Sequence, residues 1–85
     1  MKVMRVSEQY RSLKEQAGIW LRRQRRDHGM NQRQLAAEVK RSANKISRWE
    51  NGDQMLEADV FLRVCADCDL DPMREIARIC GEAGL

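Results

Sequence analysis

The residues of this 85-residue chain that could make or break bonds are few. It has one histidine, His28, no phosphate-loop glycine pattern and no clustered acid–base pair, so nothing is arranged for catalysis. Of its three cysteines, Cys65, Cys68 and Cys80, the first two form a Cys-x-x-Cys. A zinc site would need two more ligands, and His28 has no partner nearby in sequence. A redox motif would be expected beside a βαβ pattern, and none is visible. An odd cysteine count does not suggest a disulfide framework. Positions i and i+3 share a helix face, so Cys65 and Cys68 read as small core residues. Neither a metal nor another cofactor is expected. What remains is charge and hydrogen-bonding chemistry, concentrated at Ala43, Asn44, Lys45, Ser47 and Arg48, the outward positions of a short predicted helix.

Two helices and a tight turn must position those residues. Asn31 is a good N-cap for a helix from Gln32 to about Val39, and Ser42 for a second from Ala43 to about Trp49. Gly52, after Asn51, supplies a left-handed stop. Leu35, Ala36 and Val39 share one face of the first helix, and Ile46 and Trp49 one face of the second. With so short a connection, the helices cross steeply with those faces inward.

This segment, GMNQRQLAAEVKRSANKISRWENG, resembles the helix-turn-helix of the Cro/phage-repressor-type (XRE-like) regulators. The resemblance rests on Gly29, Met30, Asn31, Gln32, Leu35, Ala36, Val39, Ser42, Ile46, Glu50, Asn51 and Gly52, without a gap. It departs at the turn, where Lys40 and Arg41 replace the usual glycine and apolar residue. The resemblance implies an all-α fold, a compact five-helix lambda-repressor-like domain, and covers about residues 20–76.

The remaining elements fit that architecture. Met1–Val6 is expected to be a flexible arm, basic at Lys2 and Arg5, ahead of a single domain over residues 7–85. Ser7 can cap a helix carrying Tyr10, Leu13, Ala17, Trp20 and Leu21 and ending near His28, with a break possible at Gly18. Val60, Phe61, Val64, Cys65 and Cys68 indicate a helix over about 57–67. Asp71 then caps one over about 72–80, with Pro72 at its first position.

Composition narrows the partner. Hydrophobic residues make up 42% and charged residues 34%, which suits a small helical domain, and one proline argues against an all-β fold. No apolar run approaches the ~20 residues of a membrane span. The start lacks a signal-peptide core, so a cytoplasmic protein, bacterial or phage-encoded, is expected. The net charge of +3 conceals an asymmetry: residues 1–50 carry 13 Lys/Arg against 5 Asp/Glu, residues 51–85 carry 3 against 8. A basic half containing the two-helix segment suits a polyanion. An RNA partner is disfavoured, because Trp20, Trp49 and Phe61 fall on core faces and leave no stacking platform.

By resemblance, the second helix enters the major groove of double-stranded DNA. Ala43, Asn44 and Arg48 then face bases, with Lys45 and Ser47 bordering them. Asn44 suits adenine, Arg48 guanine and Ala43 a thymine methyl. Gln32 matches the family's phosphate-anchoring glutamine. Asn31, Lys40, Arg41, Ser42 and Asn51 are further phosphate positions. Arg25 matches the arginine that pairs with Glu50, a structural role. Met73, Ile76 and Ile79 are the expected seam of a homodimer on a palindromic operator. That arrangement implies a repressor, with an activator contacting RNA polymerase also open, and no small-molecule ligand. The alternative is an antitoxin that also binds its own promoter.

Overall fold

The computed structural model describes residues 4–85, which form five helices with no strand among them. They are α1 (Val6–Asp27), α2 (Gln32–Val39), α3 (Ala43–Glu50), α4 (Ala58–Asp67) and α5 (Pro72–Glu82). Met1, Lys2 and Val3 of the expected arm lie outside the described residues. Val6 already opens α1, Arg5 holds the N-cap position without a side-chain bond, and Ser7 is inside the helix rather than at its cap. Further along α1, the Ser12 hydroxyl donates to the Ala83 carbonyl at 2.8 Å, docking the helix on the end of the chain. The last helix runs to Glu82, two residues beyond its apolar stripe, and buries Ala83 just after it.

The core is the meeting of the apolar stripes. Leu21, Ile46 and Cys65 are fully buried, and Trp49 and Val60 nearly so. Trp20 lies against Phe61, ring centroids 4.8 Å apart. Cys65 behaves as an apolar residue: burial, then the nearby Glu75, pushes its thiol up to about 11. Cys68 sits half-buried at the end of α4 rather than inside the core. One buried acid had no sequence signal. Glu75, on the first turn of α5, accepts a hydrogen bond from the Trp20 indole at 3.0 Å, which satisfies a buried N–H that apolar packing would orphan.

Gly18 does not break α1. It faces α3, where a Cβ would overlap the carbonyl oxygen of Trp49 and stand 2.9 Å from that of Glu50. The glycine therefore sets how closely the backbones of α1 and α3 approach.

All five helices close with the same paired backbone bonds about a left-handed residue: Gly29, Lys40, Gly52, Asp69 and Gly84. At the turn between α2 and α3 that residue is Lys40, at φ 56°, with Arg41 N–H donating to the Ala36 carbonyl at 3.0 Å. A side chain there costs roughly 1 kcal/mol. Lys40→Gly is therefore expected to raise the unfolding free energy by about 0.5–1 kcal/mol, measured by urea denaturation.

Candidate nucleic-acid interface

The surface of α3 divides sharply. Ile46, Trp49 and Glu50 are buried, whereas Asn44, Lys45 and Arg48 are exposed and Ala43 and Ser47 half-buried. Ala43 packs against the core edge. Among the described residues Arg48 has no ion-pair partner, so its guanidinium stands free in solvent. The hydroxyl of Ser42 accepts the Lys45 backbone N–H at 3.2 Å and starts the helix; its O–H remains available as a donor.

One carboxylate holds this helix in place. Glu50 is buried and accepts from Arg25 through both oxygens, at 2.7 and 2.9 Å, from Gln32 at 3.1 Å and from Arg22 at 3.4 Å. Arg25 also donates to the Met30 carbonyl at 2.9 Å. The end of α3 is thereby tied to α1 and to the first turn of α2. Burial alone pushes the Glu50 carboxyl up, but the bonds from Arg25 and Gln32 and the Arg25 charge outweigh it. The carboxyl consequently titrates below its ordinary value.

Several polar residues near this face have a partner inside the protein. One Gln32 amide N–H goes to Glu50, and the second is a further donor. Asn31 makes a capping box with Gln34: its side chain accepts the Gln34 N–H and its own N–H donates to the Gln34 side chain, both at 2.8 Å. Asn51 accepts from Arg22 at 3.3 Å. Lys40 is exposed on the turn. Arg41, by contrast, is turned onto α4, where it meets Glu57 and Asp59, and Lys45 shares Glu57 with it. Sequence spacing assigns no partner to Gln34, Arg22, Glu57 or Asp59. Only Gln34 carries a local signal, three residues after an N-cap.

On α5 the three seam positions separate. Met73 is 73% and Ile76 43% exposed, but Ile79 is 8% exposed and belongs to the core. Ile79 closes the monomer and is corrected from interface to core, because its turn of α5 lies against α1. No helix among the described residues is long and apolar enough to cross a membrane.

The comparison with protein families agrees with this two-helix segment. A model described as "Helix-turn-helix domain" matches residues 8–79. The chain belongs to this helix-turn-helix family. Both family and fold are those of a DNA-binding domain. Two crystal structures of the clp gene regulator ClgR from Corynebacterium glutamicum are similar. One aligns at TM-score 0.65 and 28% identity, over 85% of this chain and 88% of that one. The other aligns at TM-score 0.71 and 25% identity, over 85% and 77%. A comparison with curated protein sequences returned no match.

Proposed function

We propose that this protein is a sequence-specific transcription regulator that binds an inverted-repeat operator as a homodimer and acts chiefly as a repressor. The observation that carries the reading is the division of α3, with Asn44, Lys45 and Arg48 exposed opposite buried Ile46, Trp49 and Glu50. An amide and a guanidinium one turn apart on an exposed helix are suited to two base edges in a major groove, adenine for Asn44 and guanine for Arg48. The exposed backbone N–H groups at the start of α2, with Gln32, Ser42 and Lys40, suit flanking phosphates. Similarity to ClgR, a gene regulator by its name, supports regulation as the outcome of binding.

One such unit reads too few base pairs for high selectivity, so two copies on half-sites about one helical turn (~34 Å) apart are required. Met73 and Ile76 are the exposed large apolar residues of α5. Ile76 borders a groove of about 280 Å³ that also includes Leu13, Met55 and Cys80. This face is the proposed dimer seam. Occupancy of a promoter by the dimer excludes polymerase.

In vitro selection of duplexes from random DNA tests the reading. The wild type is expected to enrich an inverted repeat, and Asn44→Ala or Arg48→Ala to blur one symmetric pair of positions each, at about 1–3 kcal/mol of lost discrimination. Gln32→Ala should weaken all sequences alike. An unchanged motif with Arg48→Ala would remove α3 from the major groove.

A further inference from the structure

Two of the cations beside the recognition face are already occupied. Arg41 Nη2 lies 2.7 Å from Asp59 Oδ2 and 3.2 Å from Glu57 Oε2, and its Nε donates to the same Glu57 oxygen at 3.3 Å. The other Arg41 nitrogen donates to the carbonyls of Val39 and Lys40. Lys45 Nζ lies 2.8 Å from Glu57 Oε1. Glu57 thus bridges the two cations with its two oxygens, from the N-cap position of α4. All of this happens on the surface: the Arg41 and Glu57 side chains are about a third exposed. Bonds from Lys45 and then Arg41 hold the Glu57 carboxyl below its ordinary value, outweighing the effect of burial.

We infer that Glu57 and Asp59 are specificity-determining residues that stand in for DNA phosphate, holding Arg41 and Lys45 on α4 until a matching sequence draws them away. The inference rests on the proposed DNA-binding function. Phosphate contacts carry affinity without reading sequence. A cation that is neutralised within the protein contributes little to that indiscriminate attraction. On random DNA the exchange of carboxylate for phosphate is close to an even trade, because both are anions that accept the same donors. On the operator, base contacts by Asn44 and Arg48 seat α3 deeply enough that Lys45 and Arg41 meet phosphates or base edges in good geometry. The acidic pair therefore suppresses non-specific binding more than specific binding. Arg48, which has no ion-pair partner among the described residues, is left as the free reader.

The test is fluorescence anisotropy with a random-sequence duplex and with the selected operator, across a range of potassium chloride concentrations. The proteins are the wild type, Glu57→Gln, Asp59→Asn, the double variant and Glu82→Gln. The last removes an exposed carboxylate at the far end of α5 that has no ion-pair partner among the described residues. Asp59 is exposed, so Asp59→Asn keeps the test open should Glu57→Gln disturb α4. The double variant is expected to bind random duplex roughly 3–10-fold more tightly. Its log K against log salt slope should steepen by about 0.9 for each cation released. Operator affinity should rise less, so the ratio of operator to random binding falls. Adding Arg41→Gln and Lys45→Gln to the double variant should abolish the gain. An unchanged slope and ratio, or an equal gain from Glu82→Gln, would overturn the inference while leaving DNA binding intact. Absence of duplex binding by the wild type overturns the proposed function and this inference together.

Discussion

Replacing Glu50 with alanine is expected to destabilise the fold by about 3–5 kcal/mol, the range for removing one partner of a buried ion pair. An 85-residue domain has roughly 4–13 kcal/mol in all, so Glu50→Ala should sit at or near the unfolding threshold at room temperature. The reason is what the truncation leaves behind. Arg25 would keep a largely buried guanidinium, its side chain 11% exposed, with only the Met30 carbonyl to accept from it. Gln32 would lose the acceptor for its amide, and α3 its tie to α1 and α2. Urea denaturation measures the loss. The pH dependence is a separate handle on the same group. Because the Glu50 carboxyl titrates lower in the folded protein than in the unfolded chain, the unfolded chain binds more protons between those two values. Its contribution is therefore complete above the ordinary glutamate value and is lost as pH falls through the folded one. Glu50→Gln, which keeps the shape but cannot ionise, should show a flatter stability profile across that acidic window. An identical profile would mean that Arg25 and Glu50 are not paired in solution.

The second large effect is expected at Gly18. Helix propensity alone predicts that Gly18→Ala stabilises α1 by about 1 kcal/mol. The opposite sign is expected, a loss of about 2–3 kcal/mol, the upper part of the range for overpacking. The new methyl would meet the backbone carbonyls of Trp49 and Glu50, which cannot swing aside as a flexible side chain can. Either α1 and α3 part, exposing Trp49 and stretching the Arg25–Glu50 bonds, or α3 tilts. Both displace the helix that carries Asn44 and Arg48, so duplex affinity should fall along with thermal stability. A variant as stable as the wild type would show that the two helices are not in such close contact.

Much of the fold was legible because its signals are local. Asn31 and Ser42 cap helices through their own side chains, Asp71 does the same ahead of Pro72, and the apolar positions recur with helical period. The helix pair at 32–50 and the outward set on α3 follow from such short-range rules. The end of α5 did not, because the helix continues to Glu82 where Ala83 is buried and its carbonyl accepts from Ser12 of α1. The charge asymmetry between the halves was visible as composition; which carboxylate meets which cation was not.

Residue types and their spacing by themselves determined an all-helical chain with one short helix presenting an amide and a guanidinium outward. Capping, periodicity and turn chemistry act over three or four residues, so the sequence contains them. Tertiary structure alone decided that Gly18 is a contact rather than a break and that Ile79 belongs to the core. It likewise decided that Glu75 serves Trp20 and that Arg41 and Lys45 face Glu57 and Asp59. Each of those outcomes depends on which helix faces come together, at separations along the chain where local preference has no reach. Close packing then leaves a methyl group or an unpaired charge no freedom to choose otherwise.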